Sequence, residues 1–286
     1  MKTFRALGIY AAAVLVVAFV ASFPLQAVCQ HFGLLAGKPW FKFFSLSLKV
    51  AALLGSWPLL RVLDMASWEG IGLRARGWLG AARAAAGWSV GFAGTMALGA
   101  CAVWAGNRTW EQGPLASLWP ALATGVMVAI IEETLFRGVI FGALRREWGA
   151  MRALWVSSVF FGTLHFVAAQ PKGALATVAA FVSLTAIGAV LAWCYHRSGS
   201  LYLAIGVHAG CVTGLKWWME LTHRGGPEMD WLFGAGRFRL VSGAAAVPMI
   251  LVLWLALMAF ERALRSRNVG DNEKLGAGGS GPVLPG

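Results

Sequence analysis

The stretch GVMVAIIEETLFRGVIFGAL, residues 125–144, places two adjacent carboxylates and an arginine inside a segment that is otherwise apolar. Its length matches the ~20 residues that an α-helix needs to cross the hydrocarbon core of a bilayer. The backbone must satisfy its own hydrogen bonds there, so the stretch is predicted to be a transmembrane helix. Because an ionisable side chain at this depth costs roughly 2.5–3.5 kcal/mol or more, these three residues are expected to have a partner or a function.

The composition of the whole chain is typical of a membrane protein. Of its 286 residues, 58% are hydrophobic and only 13% are charged, and the mean hydropathy is +0.68. Soluble domains carry about 25% charged residues, so this chain has too few charges to cover a water-exposed globule. The formal net charge of +12 does not indicate nucleic-acid binding, because the basic residues lie in short loops between apolar segments.

Apolar segments recur along the chain and predict an all-α, polytopic transmembrane bundle of about eight spans. The predicted spans lie near residues 6–28, 44–63, 87–106, 117–144, 152–170, 174–195, 200–219 and 242–260. The first span is longer than the core of a signal peptide and is predicted to be retained. Gly and Ala are abundant within the spans and favour close helix packing.

The same pattern predicts how the chain is organised around the membrane. Residues 1–116 hold the first three spans, 117–219 the spans with ionisable residues, 220–267 an outer loop with the last span, and 268–286 a Gly-rich tail predicted to be disordered. More Lys and Arg residues fall on the side of both termini than on the other side. The protein is therefore predicted to be a multi-pass protein of the cell membrane with cytoplasmic termini.

The loop at 64–86 has two interpretations. Basic residues alternate there with large apolar ones: Arg74, Arg76 and Arg83 among Trp68, Leu73, Trp78 and Leu79. This pattern suits an amphipathic helix lying on the cytoplasmic surface. A plain basic loop that sets the orientation of the chain explains it equally well.

Five ionisable residues collect in three predicted spans: Glu132, Glu133, Arg137, His165 and His208. Glu133 and Arg137 are spaced i, i+4 on one helix face, where an ion pair can form. Glu132 is turned about 100° from Glu133 by the 3.6-residue period, so its carboxylate stays available for chemistry. A carboxylate in such a site can act as a general base toward a bound water. A single Glu–Arg pair or a lone histidine is often structural, but the whole set is harder to explain by packing.

At these residues the sequence resembles the CAAX-protease and bacteriocin-processing family of intramembrane endopeptidases, which includes the type II CAAX prenyl endopeptidases. The family motif EExxxR reads EETLFR from Glu132 to Arg137, and the motif FxxxH reads FGTLH from Phe161 to His165. The histidine of a third motif matches His208 in GVHAGCVTG. The resemblance covers residues 117–219, which it identifies as the catalytic core.

The resemblance implies hydrolysis of peptide bonds in membrane-associated proteins or peptides by water that Glu132 activates and His165 supports. Glu133 and Arg137 would hold the helix geometry, and His208 would help to stabilise the oxyanion. The cofactor stays open between none and Zn²⁺, with Glu132, His165 and His208 as the ligands if zinc is present. The implied partners are the substrate and the lipid bilayer, with no nucleic acid.

One position departs from the family pattern. Val212 stands where the family usually has asparagine, and valine can neither donate a hydrogen bond nor bind a metal. Another oxyanion donor is then needed, and Cys211, Thr213 or a water is the nearest candidate. The departure favours an alternative function, a non-catalytic membrane scaffold or immunity-type protein on the same fold. A proton-coupled transporter is a further alternative, although the sequence lacks the paired, interrupted spans that would favour it.

Overall fold

The computed structural model describes residues 2–73, 77–111, 113–169, 171–225, 227–234 and 240–277. Its α-helices are α1 (Lys2–His31), α2 (Trp40–Val62), α3 (Trp78–Trp104), α4 (Leu118–Glu133), α5 (Gly142–Trp148), α6 (Ala150–Ala169), α7 (Ala174–Ser198), α8 (Leu201–Leu221), α9 (Asp230–Phe233) and α10 (Ala246–Ala277). A π-helix (Thr134–Phe141) joins α4 to α5, and 3₁₀ turns lie at Leu115–Ser117 and Pro227–Met229. Two short strands, β1 (Arg108–Trp110) and β2 (Thr222–Arg224), pair in antiparallel fashion.

The predicted all-α polytopic bundle is confirmed. Six helical segments of the described chain are long and apolar enough to cross a membrane: α1, α2, α3, the rod Leu115–Trp148, α7 and Ala246–Ser266 of α10. The helices α6 and α8 coincide with the other two predicted spans but are not among these six. Helix α8 contains a histidine, a lysine and several Gly and Trp residues, which lower its mean hydropathy.

Two boundaries differ from the prediction. Residues 63–73 form turns, and α3 begins at Trp78, so the described part of the 64–86 loop does not form a surface helix. Arg74 and Arg76 lie outside the described residues, whereas Arg83 lies in α3 and is paired with a carboxylate of α10. The last helix continues to Ala277, past the predicted start of the tail at residue 268, and residues 278–286 lie outside the description.

The rod from Leu118 to Trp148 changes its hydrogen-bonding pattern at the two glutamates. It is α-helical up to Glu133, π-helical over Thr134–Phe141 and α-helical again from Gly142. A π-helix widens the turn and is found most often at functional sites. The predicted helical span over 117–144 is present within this rod, but the π-turn was not foreseen, because no local residue pattern marks one. Glu132 and Glu133 therefore occupy the last α-helical turn before the change.

Helix α8 is the central element of the bundle, since it packs most extensively on α3 and then on α4. Its approach to α3 depends on glycine. A Cβ added to Gly210 would lie 2.2 Å from the Trp88 carbonyl oxygen, and one added to Gly91 of α3 would lie 2.4 Å from the Val207 carbonyl oxygen. Small residues at such crossings let two backbones come into contact, as is usual in membrane helix packing. This contact fixes the rotation of α8 and thereby the position of His208.

Candidate active site

Glu133 is the centre of a buried polar cluster. Its Oε1 accepts one hydrogen bond from Arg137 Nη1 at 2.8 Å and another from the His208 ring at Nδ1, 2.7 Å away. Glu133 is 0% exposed and Arg137 is 1% exposed. The i, i+4 ion pair predicted from the spacing is therefore present, and α8 adds a histidine to it. Both donors use the same oxygen, so this carboxylate is committed to holding the helices together.

The guanidinium of Arg137 also contacts residues of two other helices. Its Nη2 donates to the Gly188 carbonyl oxygen of α7 at 3.0 Å. The guanidinium carbon lies 4.4 Å from the ring centroid of Phe161 on α6, a cation–π contact. The arginine thus ties the rod to α6 and α7, while Glu133 ties it to α8.

Glu132 faces a different set of groups. Its Oε2 lies 3.3 Å from His165 Nε2 and 3.9 Å from His208 Nε2. The Glu132 side chain keeps 16% of its surface exposed, in contrast to Glu133. Within the described chain this oxygen accepts no hydrogen bond of regular geometry. The structure therefore separates the adjacent glutamates into a buried one, whose Oε1 holds Arg137 and His208, and a partly exposed one that faces two imidazoles.

His165 is held by its own helix. Its Nδ1 hydrogen-bonds the Phe161 carbonyl oxygen at 3.0 Å, and the two rings stack with centroids 4.0 Å apart. Phe161 lies between this imidazole and the guanidinium of Arg137. The i, i+4 spacing thus lets Phe161 hold the His165 imidazole in two ways, by a hydrogen bond to its carbonyl oxygen and by stacking of its ring.

The hydrogen-bond partners assign the tautomers of both histidines. A carbonyl oxygen faces Nδ1 of His165 and a carboxylate oxygen faces Nδ1 of His208, so in both rings Nδ1 carries the hydrogen. In the neutral form each Nε2 then has only a lone pair, and both Nε2 atoms lie on the side of Glu132. Three acceptor atoms facing one another require a hydrogen donor among them, such as a water molecule or the extra proton of an imidazolium.

The five residues predicted from the sequence are thus brought together in one cluster formed by the rod, α6 and α8. Residues 114–213 match the model of the Type II CAAX prenyl endopeptidase Rce1-like family. This is a protease family, and the match confirms the resemblance predicted from the sequence over that segment. No curated protein matches the chain at a significant level.

The matched segment, residues 114–213, contains the whole cluster. It makes up only about a third of the chain. It runs from the 3₁₀ turn before α4 into the second half of α8. Helices α1, α2, α3 and α10 lie outside it, although α3 packs directly on α8. These four helices complete the membrane bundle around the matched segment.

Around Val212, the structure does not support the two side-chain donors suggested from the sequence. The Cys211 thiol points to the Gly91 carbonyl oxygen of α3 at 3.7 Å. The Thr213 hydroxyl donates to the Ala209 carbonyl oxygen of its own helix at 2.7 Å. Each of these hydrogens is already used on a backbone oxygen, which belongs to α3 for Cys211 and to α8 itself for Thr213. The suggestion of Cys211 or Thr213 as oxyanion donor was therefore wrong.

The resemblance leaves zinc open, with Glu132, His165 and His208 as its ligands. Among the side chains that the structure describes, no group of three or more His, Cys, Asp and Glu is arranged to hold a metal ion. Glu133, the fourth acidic or histidine side chain of the cluster, is occupied by Arg137 and His208. Glu132 Oε2 and the Nε2 atoms of His165 and His208 nevertheless face one another, so the choice between no metal and Zn²⁺ stays a prediction.

Two charged residues near this region were missed from the sequence. Glu261 of α10 is 0% exposed and accepts two hydrogen bonds from Arg83 of α3, at 2.8 and 3.0 Å. It follows the predicted end of the last span by one residue, so it was not taken as a buried group. Lys49 lies within α2 and interacts electrostatically with Glu132. It falls inside the predicted span 44–63, and the rule that singled out Glu132 would have found it.

Proposed function

We propose that this protein is an intramembrane endopeptidase that hydrolyses peptide bonds of membrane-associated proteins or peptides with water activated by Glu132. One observation carries this proposal: Glu132 Oε2 faces two imidazoles from a side chain that is 16% exposed, while the adjacent Glu133 is 0% exposed and holds Arg137 and His208 through its Oε1. A general base needs a free acceptor oxygen within reach of the proton that it removes. Of the two glutamates, Glu132 combines such an oxygen with a partly exposed side chain, whereas the Glu133 side chain is fully buried.

The two hydrogen-bond acceptors of the site, Glu132 Oε2 and His165 Nε2, explain how a water molecule would be activated. A water molecule between Glu132 Oε2 and His165 Nε2 donates one hydrogen to each, which directs an oxygen lone pair away from both. As that oxygen attacks the carbonyl carbon of the substrate, its proton passes to Glu132. The carboxylic acid then returns the proton to the leaving amine when the C–N bond breaks, so the carboxylate is regenerated.

His208 is the proposed donor to the oxyanion. Its Nδ1 hydrogen is used on Glu133, so it can donate from Nε2 only as the doubly protonated ring. An imidazolium there balances the charges of the cluster, since Glu132 and Glu133 carry two negative charges against one positive charge on Arg137. A preorganised donor of this kind stabilises the negative charge that develops in the transition state.

The proposed catalytic unit is residues 117–219, which contain all five residues of the cluster. The protein is proposed to lie in the cell membrane with both termini in the cytoplasm, as the distribution of basic loops indicates. A membrane-embedded site with 14–16% exposed His165 and Glu132 side chains can be reached by a substrate segment at membrane depth. The implied substrates are therefore proteins or peptides that are themselves held in the bilayer.

The proposal is tested by comparing membrane proteomes of cells that carry wild-type protein or Glu132→Gln. The substitution keeps the shape of the side chain and removes the base. Uncleaved precursors should accumulate with Glu132→Gln and with the null strain but not with wild type. Glu111→Gln, a change of an exposed glutamate outside the cluster, serves as the matched control. Identical proteomes for wild type and Glu132→Gln would favour the scaffold function that Val212 suggests.

A further inference from the structure

An apolar groove runs between α1 and α2, the first two membrane-crossing helices. It is lined by residues within 6–17 of α1 and 51–62 of α2, and it encloses about 560 Å³, a volume typical of ligand pockets. Its lining side chains are apolar except for Tyr10, whose hydroxyl donates to the Ala52 carbonyl oxygen at 2.6 Å. All lining residues lie outside the matched segment 114–213. The groove is therefore separate from the active-site cluster.

Short side chains keep the groove open along both helices. Ala6 and Ala13 line it on α1, and Gly55 and Pro58 line it on α2. The two helices meet where Gly55 lies against Tyr10, since a Cβ added to this glycine would lie 3.2 Å from Tyr10 Cε2. The core of a bilayer contains no water to fill such a space. The groove is therefore suited to a hydrocarbon chain.

The length of the groove matches one leaflet of the bilayer. On each helix the first and last lining residues are eleven positions apart, which is about 16 Å at 1.5 Å per residue. One leaflet provides half of the ~30 Å hydrocarbon core, about 15 Å. The groove begins near the first residues of α1 and at the last residue of α2, and it ends near the middle of both helices. It therefore crosses the leaflet on the side of the N-terminus.

Basic residues continue the groove at its headgroup end. Lys2 precedes Ala6 on the same face of α1, at i, i+4. Arg61 follows Pro58 on the same face of α2, at i, i+3. Both basic side chains are exposed. Each wall of the apolar groove thus ends in a cation at the level where lipid headgroups lie.

The surroundings of this end keep its charge positive. Arg146 of α5 brings a third cation, since its Nη1 donates to the carbonyl oxygens of Leu63 and Asp64, just past α2, at 3.2 Å each. Two carboxylates lie at this end as well. Asp64 follows α2 by two residues, and Oε1 of Glu147 accepts a hydrogen bond from the Thr3 N–H at 3.4 Å. The three cations outnumber these two carboxylates, so an anionic headgroup is favoured here.

We propose that this groove binds one anionic glycerophospholipid, with an acyl chain between α1 and α2 and the phosphate at Lys2 and Arg61. In the proposed orientation the lipid belongs to the cytoplasmic leaflet, which is rich in anionic lipids, and basic pockets between helices on that side bind their headgroups. The lining residues Val14 and Leu59 belong to the apolar clusters that join α1 and α2 to the π-helix. The bound lipid therefore stabilises the helix pair beside the rod. The inference goes beyond the endopeptidase function and does not depend on it.

Native mass spectrometry in detergent tests this site. Delipidated wild-type protein, Ala13→Phe and the double variant Lys2→Gln with Arg61→Gln are titrated with phosphatidylglycerol and with phosphatidylcholine of the same acyl chains. Ala13 lines the groove with an exposed side chain, so a phenylalanine there fills the acyl position and leaves the helix contacts in place. The matched controls are Ala11→Phe, the same change at an exposed residue of α1 that does not line the groove, and Lys38→Gln at the opposite end of the helix pair.

Wild type and both controls should bind one phosphatidylglycerol about tenfold or more tightly than phosphatidylcholine, as two basic residues near an anionic headgroup provide. The double variant should bind both lipids alike, at the wild-type level for phosphatidylcholine. Ala13→Phe should lose the tight site for both lipids. In thermal unfolding without lipid, all variants should match wild type. Added phosphatidylglycerol should raise the unfolding temperature of wild type and of the controls but not of Ala13→Phe.

Other results would overturn the proposal. Equal affinity of wild type for the two lipids would show that the basic residues do not select the headgroup. Tight binding of phosphatidylglycerol by Ala13→Phe would show that the lipid does not lie in the groove. Competition by glycerol phosphate at the same concentrations as the lipid would assign the cations to a soluble phosphate. A lipid-free dimer that Ala13→Phe abolishes would assign the groove to a second copy of the chain.

Discussion

Glu133→Gln removes one charge from the centre of the cluster and leaves its shape in place. Arg137 Nη1 and His208 Nδ1 both bond to Oε1 of Glu133, and a glutamine oxygen at that position can still accept from both. The change therefore removes the negative charge that neutralises a 1% exposed guanidinium. Breaking a buried ion pair costs about 3–5 kcal/mol. Because Glu133→Gln keeps its hydrogen bonds, its loss of unfolding free energy is expected near 3 kcal/mol. Glu133→Leu, which loses the hydrogen bonds as well, is expected near 5 kcal/mol.

The measurement is thermal unfolding in detergent with wild type, Glu133→Gln, Glu133→Leu and the matched variant Glu132→Gln. With roughly 2–4 °C per kcal/mol, Glu133→Gln should unfold about 6–12 °C below wild type, and Glu133→Leu lower still. Glu132→Gln should stay within about 1 kcal/mol of wild type, because no arginine depends on it. The reasoning is refuted if Glu133→Gln unfolds with wild type, or if Glu132→Gln loses as much stability.

Three further predictions concern zinc, the oxyanion site and helix packing. Purified active protein should contain zinc well below one ion per chain by elemental analysis and should keep its activity in chelator; stoichiometric zinc that is needed for activity would contradict this. Val212→Asn should retain or raise cleavage of a membrane substrate, whereas His208→Ala should remove most of that cleavage. Normal cleavage by His208→Ala would mean that the third motif serves helix packing only. Gly125→Ala should destabilise the protein by about 1–3 kcal/mol, because the added Cβ would lie 2.4 Å from Thr213 Oγ1; Gly8→Ala, which meets nothing within 4 Å, should be neutral or stabilising in the same unfolding assay.

The sequence predicted the parts of the site that depend on spacing within one helix. The i, i+4 rule is enough to foresee the ion pair of Glu133 with Arg137 and the support of His165 by Phe161, because both involve a single turn. The different surroundings of the two glutamates also follow from the helix period. The all-α bundle follows from the length and hydropathy of the segments alone.

Contacts between different helices could not be predicted from the spacing of residues within one helix. Nothing in the local sequence shows that His208 shares one oxygen of Glu133 with Arg137, since this depends on how deeply α8 packs against α3. The hydrogen bond that occupies Cys211 depends on the same rotation of α8. Lys49 was missed for another reason: it lies inside the predicted span 44–63 but close to its predicted start, whereas α2 begins earlier, at Trp40.

The most direct test of the central claim is a single-turnover reaction of purified protein with a membrane peptide in H₂¹⁸O, followed by mass spectrometry of both products. If Glu132 activates a water that attacks the peptide carbonyl, the new C-terminal carboxylate should carry one ¹⁸O atom, and Glu132→Gln should form no product while it stays folded and binds the peptide. Product formed by Glu132→Gln at the wild-type rate, or product without ¹⁸O in the first turnover, would contradict the proposed role of Glu132.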